Sequence, residues 1–214
     1  MDPEYHSRVR HDVLPHIPRP ATPGHGKLLD FGGGDGATAA RARELGLAAQ
    51  VGVADRVAVA HKLDFAFCGD LTDQNFVDAI MAAEGPFDTI LCLDVLEHLP
   101  DPWATAARLE TMLAPGGMLI VSLPNVRHYT VSLPLLFAGR WTYGDAEVLD
   151  RTHLRFFVKR TARALVEAAG LAVDRVVPVP RQRLRDIWML RGLGWLGEGL
   201  IALQYVIVAR KAAP

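Results

Sequence analysis

Cysteine is scarce in this chain: Cys68 and Cys92 are the only two in 214 residues. Both fall in apolar, strand-like runs, where a thiol serves as a small apolar filler, so neither a disulfide framework nor a redox pair is expected. No apolar run approaches the roughly 18 residues of a membrane span. The opening stretch, MDPEYHSRVRHDVLPHIPRP, carries charges throughout and lacks the apolar centre of a signal peptide. A cytoplasmic protein with no membrane partner is the expectation. An excess of one charge sign is also missing. The 23 basic and 24 acidic side chains leave a formal charge of -1, which gives no reason to expect a nucleic-acid partner. No HExxH and no paired-cysteine spacing occurs, which argues against a zinc site. No GK[ST] ending follows the glycines, so a triphosphate-binding P-loop is excluded. Internal repeats and low-complexity tracts are absent.

What is present is a core-forming composition. Half of the residues are hydrophobic, enough for one compact α/β domain at this length. The most telling stretch is Leu28–Gly36, LLDFGGGDG. An apolar strand ends on Asp30 and Phe31, and Gly32, Gly33, Gly34 and Gly36 then follow almost without a break. Residues without side chains tolerate positive φ and let a ligand lie against the backbone. From Ala37 the composition favours a helix. Strand, tight turn and helix N-terminus together make a place for a nucleotide-like cofactor.

The same alternation continues. Lys27–Phe31, Gln50–Ala54, Phe65–Cys68, Phe87–Leu93 (buried over Thr89–Leu93), Met118–Leu123, Leu171–Val177 and Gln204–Ala209 read as strands. Ala37–Leu45 is a helix stopped by Gly46. Thr72 is placed to cap a helix through Phe76, Ile80 and Met81. Asp101–Pro102 starts a helix with Trp103 and Leu109 inward, and Thr161–Ala169 is a helix ended by Gly170. Residues 1–25 hold four prolines after Asp12, a poor setting for regular structure, although Tyr5–Leu14 has room for a short helix. Acidic residues recur at the C-terminal ends of successive strands: Asp55, Asp70 and Asp94. That is where open α/β sheets bind ligands.

The segments DFGGGDG, FCGDL, FDTILCLDVLEHL and LAPGGMLIVSLPN, in this order and spacing, resemble the class I S-adenosylmethionine-dependent methyltransferases over roughly residues 26–210. The resemblance implies an α/β, Rossmann-like sheet of seven strands with helices on both faces and one antiparallel edge hairpin. It implies S-adenosylmethionine as cofactor. Asp30 would orient the glycine turn and the amino acid end of the cofactor, and Gly32, Gly34 and Gly36 would approach it. Asp55 would bind the ribose and Asp70 the adenine amine, with a backbone contact from Leu71. Asp94 completes the set at the end of the fourth strand. One departure is visible: the family's GVD reads GVAD here, with Ala54 where the acid is expected, so either Asp55 is displaced or the turn is one residue longer.

Residues 1–25 would form a leader packed near the cofactor mouth, and 26–214 a single domain. Within that domain Pro124–Arg160 is long for a connection that about two to six residues would make. This 124–160 insertion after strand five, at the ligand end of the sheet, reads as an acceptor-binding lid. Asn125, Arg127, Tyr129, Trp141, Tyr143 and Arg155 are its acceptor-binding candidates: flat rings suit a sugar or an aromatic body, and arginines suit an acidic group. Its apolar VSLPLLFAG also suits contact with a second copy of the chain. SLPNVRHY with WTYGDAEVLDRTHLRFF is similar to a methyltransferase subgroup associated with glycan and secondary-metabolite genes, reaching into MetW-like proteins. That similarity implies a small-molecule or glycan acceptor.

A hydroxyl acceptor benefits from a base, and histidine is suited to that near neutral pH. His153 follows Asp150 by three residues, a spacing that lets a carboxylate orient the ring if the segment is helical. His128 and His98 lie just past strands five and four. Asp94, Glu97 and Asn125 have metal-binding chemistry, yet no required metal is expected. Asn/Asp-Pro-Pro-Tyr is missing where Leu93–Leu96 stands, which argues against methylation of a base nitrogen or a glutamine amide. Two alternatives remain open. One is a nicotinamide-dependent oxidoreductase, disfavoured because Tyr129 and Tyr143 have no lysine four residues on. The other is a cofactor-binding partner protein without turnover.

Overall fold

The structure, a computed structural model, describes residues 8–22, 24–180 and 194–213. Seven strands form one sheet: β1 (Lys27–Phe31), β2 (Gln50–Asp55), β3 (Phe65–Cys68), β4 (Phe87–Leu93), β5 (Leu113–Pro124), β6 (Ala172–Pro180) and β7 (Ala202–Arg210). Their order is β3-β2-β1-β4-β5-β7-β6. The first five are parallel, and β7 is antiparallel to both β5 and β6. The expected Rossmann-like sheet with an antiparallel edge is what the chain builds. Around it lie α1 (Ala37–Glu44), α2 (Gln74–Glu84), α3 (Pro102–Met112), α4 (Tyr129–Ala138), α5 (Lys159–Ala168) and α6 (Gly194–Ile201).

Strand alternation divides the core in two. On β1, Leu29 and Phe31 point to one face and Leu28 to the other. On β5, Leu119, Val121 and Leu123 oppose Met118 and Ile120. The first face is covered by Val77 and Ile80 of α2, Leu109 and Met112 of α3, and Leu165 and Val166 of α5. The second is covered by Ala39 and Ala42 of α1 together with Val13, Leu14 and Ile17 of the N-terminal segment. Burying strands on both sides is why they read as near-continuous apolar runs. Because β1 pairs with both β2 and β4, connection order reverses there, and the C-terminal ends of β1 and β4 flank a crevice.

Several local expectations change. Asp73, not Thr72, caps α2: its carboxylate accepts from Asn75 N, while Thr72 is drawn to Asp70. Strand β5 begins at Leu113 rather than Met118 because Leu113 pairs with Phe87 before a bulge. Trp103 is half exposed, since it sits on the solvent side of the first turn of α3. Cys68 is exposed, because β3 is an edge strand whose alternate residues face out. Of the suggested Tyr5–Leu14 helix, residues 5–7 lie outside the described residues. From Arg8 the chain runs through a turn into a short 3-10 segment at Leu14–His16. Among the described residues no helix is long and apolar enough to cross a membrane.

Candidate active site

The glycine turn leaves β1 at its C-terminal end. Gly32, Gly34 and Gly36 have φ of 79°, 60° and 90°, conformations that L side chains adopt at a cost. Space is short as well: a Cβ on Gly32 would lie 2.3 Å from Val95 Cγ2, and one on Gly33 would lie 2.3 Å from Asp30 Cγ. Gly33 is therefore bare to make room for Asp30 beneath the turn, a reason internal to the protein. Asp30 is 1% exposed, and neither of its carboxyl oxygens has a hydrogen-bond partner. Burial, with the neighbouring Asp55 charge adding to it, pushes its pKa up to about 7.

Asp55 closes the turn from β2. Its Oδ2 accepts from Gly34 N at 2.8 Å and its Oδ1 from Val57 N at 3.0 Å, while Gly32 N donates to Ala54 O. The extra Ala54 thus continues β2 by one residue, and Asp55 still reaches the glycine turn. Asp94, after β4, has φ 56°, unusual for a residue other than glycine and a mark of a constrained site. Its carboxylate accepts from Ser122 Oγ at 2.6 Å and pairs with Arg10, which also pairs with Asp12. The N-terminal segment is strapped across the crevice by this contact. Asp70 stands further out, with its side chain 44% exposed. The Thr72 N–H and hydroxyl, and then Arg56, hold its pKa down to about 2. Leu71 is half-buried and borders a cavity of about 400 Å³ between α2 and α3, shared with Phe31, Leu99 and Asp101.

Past β5, the insertion returns to the sheet. Asn125 bridges to Phe157, and the N–H groups of Leu154 and Arg155 donate to Glu97 O at 2.8 and 3.1 Å. This brings His153 to His98, with ring centroids 4.7 Å apart. The anticipated Asp150–His153 pairing does not form, because residues 150–152 turn instead of continuing a helix. His153 Nδ1 lies 3.1 Å from Val148 O, and a carbonyl can only accept, so Nδ1 carries the proton and Nε2 keeps its lone pair. Burial lowers the His153 pKa. Asp150 Oδ1 instead accepts from Thr152 Oγ1 at 2.5 Å, and Thr152 Oγ1 lies 3.0 Å from His98 Nδ1. The hydroxyl proton is committed to the carboxylate, so His98 Nδ1 donates and its Nε2 is left as the basic nitrogen. Although burial opposes it, these Thr152 contacts keep the Asp150 pKa low.

Two further assignments change. His128 is fully buried at the start of α4, with Nδ1 on Thr130 Oγ1 at 2.7 Å and its ring against Tyr129, so it cannot meet an acceptor without rearrangement. Asn125 is fully buried. Its amide donates to Gly199 O and Ala202 O and its carbonyl accepts from Arg127 N, so it fastens the end of β5 to α6. The Arg127 guanidinium lies against Gly199. Arg155 is anchored to Pro100 O at 2.6 Å. Trp141, Tyr143 and Phe156 do come together: Trp141 meets Phe156 edge-on at 5.3 Å and Tyr143 at 6.4 Å, and Phe156 lies 6.4 Å from His153. Trp141 and Phe156 also line an open groove of about 460 Å³ with Val126, Ser132, Leu135 and Leu136. Sequence reasoning missed Arg10, Ser122 and Thr152. Ser122 and Thr152 lie inside the segments LIVSLPN and LDRTHLRFF, where their more reactive neighbours drew the reading, and Arg10 had only its place in a charged leader to hint at a role.

Comparison with known proteins gives a consistent picture. Residues 4–176 match the profile of a family described as a methyltransferase domain. A ubiquinone biosynthesis O-methyltransferase of Xanthomonas euvesicatoria pv. vesicatoria is 35% identical over 105 residues, 46% of this chain and 43% of that protein. The chain spans less than half the length of that relative. A SAM dependent methyltransferase from Archaeoglobus fulgidus superposes with a TM-score of 0.60 at 16% identity, covering 94% of this chain and 91% of the other. A Burkholderia thailandensis 1,6-didemethyltoxoflavin-N1-methyltransferase, solved with bound 1,6-didemethyltoxoflavin and S-adenosylhomocysteine, superposes with a TM-score of 0.59 at 20% identity, covering 94% of this chain and 75% of the other. At these identities the likeness is one of fold.

Proposed function

Because this chain belongs to the methyltransferase-domain family, we propose that it transfers the methyl group of S-adenosylmethionine to a hydroxyl oxygen of a small acceptor with an aromatic or apolar body. The observation that carries this reading is the buried Asp30 carboxyl without a partner beneath a glycine turn of positive φ. A carboxyl left so is costly, and the donor's ammonium group compensates it. The other donor-side residues fit the same molecule. Asp55 at the end of β2 is placed for the ribose hydroxyls. Leu71 borders the adenine end, and Asp70 beside it offers an acceptor to the adenine amine. Arg10 suits the donor's carboxylate, a charge-assisted pairing that Asp94 now occupies.

The methyl group of the donor is already electrophilic, and this chain's residues have three tasks. The groove of Val126, Leu135, Trp141 and Phe156 binds the acceptor body through apolar and ring contacts. The returning insertion excludes water and places the hydroxyl in line, which reduces the entropic part of the barrier. His98 Nε2 takes the hydroxyl proton, with the ring oriented through Thr152 by Asp150. An almost wholly apolar groove, together with arginines already anchored elsewhere, favours a phenol-like acceptor over a glycan.

Two measurements test this reading. Calorimetry with S-adenosylmethionine and with NAD should show binding of the former alone, and tighter NAD binding would overturn the reading. A methyl-transfer screen across phenols, glycosides and nucleotide sugars should give turnover on phenols. Exclusive activity on glycosides would reassign the groove.

A further inference from the structure

Among the described residues, one ring nitrogen each of His98 and His153 and one carboxylate oxygen of Glu97 lie within 4.8 Å of one another. Glu97 is 1% exposed, and neither of its side-chain oxygens has a hydrogen-bond partner. Both rings use Nδ1 toward the protein, His98 on Thr152 and His153 on Val148 O, which leaves each Nε2 a lone pair. Ring nitrogens held from behind by an oxygen are how metal-ligating histidines are usually oriented. Asp94 and Asn125, the other groups of that chemistry, are committed to Arg10 and Ser122 and to the carbonyls of Gly199 and Ala202.

We propose that Glu97, His98 and His153 form a binding site for one divalent transition-metal ion, which fastens the insertion to the end of β4. Two imidazoles and one carboxylate suit zinc or cobalt, whereas magnesium and calcium prefer all-oxygen sites. Three protein ligands around such an ion leave a fourth position for a non-protein group. Ligand atoms about 2.1 Å from a tetrahedral ion stand about 3.4 Å apart, so separations within 4.8 Å need to close by up to about 1.4 Å. His98, only half-buried, has the freedom to do so. The sequence offers no ligand spacing for this site, since 55 residues separate the two histidines.

The test uses the whole chain, stripped with a chelator and titrated with Co²⁺ and then Zn²⁺. One equivalent of Co²⁺ should produce visible d–d bands of a low-coordinate site, and Zn²⁺ should displace it. Glu97→Gln and His153→Ala should each weaken binding by about 100-fold or more, with His153→Gln as a second variant should the alanine fold poorly. Binding should tighten as pH rises, since protons compete for the ligands. Absence of the bands, or variants that bind as tightly as the parent, would overturn the site. The ion's effect on turnover rests on the reading of His98 as base. Because the ion takes that lone pair, saturating Zn²⁺ should lower methyl transfer. Stoichiometric binding with unchanged turnover would refute His98 as base and leave the metal site standing.

Discussion

Replacing Asp30 by Asn should stabilise the protein in alkaline solution and weaken its hold on the methyl donor. The Asp30 pKa is raised from 3.8 to about 7, chiefly by burial and then by Asp55. Between those values the folded chain keeps a proton that the unfolded chain releases, so stability falls as pH rises through this window and is level above it. At about 1.4 kcal/mol per pH unit, a shift of roughly three units amounts to about 4 kcal/mol, and the side chain is too buried for solvent to screen it. Asn is nearly isosteric and does not titrate. Urea unfolding of both proteins at pH 5 and pH 8 should therefore show the difference between variant and parent moving in the variant's favour by about 3 kcal/mol. Calorimetry on the same variant should show S-adenosylmethionine binding about 10- to 100-fold weaker, the worth of one charge-assisted contact. Parallel stability profiles for the two proteins would refute the argument, since they would mean that Asp30 is hydrated or paired in solution.

Four other substitutions probe the rest of the site. Gly32→Ala places a Cβ 2.3 Å from Val95 at φ 79° and should cost about 1–3 kcal/mol of stability, read by thermal melting, with donor binding lost. Arg10→Ala should weaken donor binding by about 10-fold while leaving acceptor KM unchanged. His98→Ala should lower kcat by about 10², with donor affinity retained by calorimetry. Trp141→Ala should raise acceptor KM by about 10-fold, the worth of one ring contact, and unchanged KM across active acceptors would make the groove an assembly surface.

How much was legible follows from how local each feature is. The strand, glycine turn and helix of residues 27–44 need only their own neighbours, so composition and φ preference sufficed. The same holds for Asp101–Pro102 at the start of α3. The edge position of β3 is a property of the whole sheet, so the exposure of Cys68 could not be read from FAFC. The Asp150–His153 spacing looked like a dyad only on the assumption of a helix, and the turn there gives the carboxylate to Thr152, whose hydroxyl bridges to His98.

By itself the sequence determined the fold class, the glycine turn and the strand ends that carry Asp30, Asp55, Asp70 and Asp94, because period and turn chemistry are written in adjacent residues. Tertiary structure decided what those ends meet. Arg10 reaches Asp94 across 84 positions, and His98 meets Thr152 across 54. Such contacts depend on where the sheet and the returning insertion bring distant backbone together. That placement is set by the packing of both faces and by the backbone bonds to Glu97, not by any residue's near neighbours.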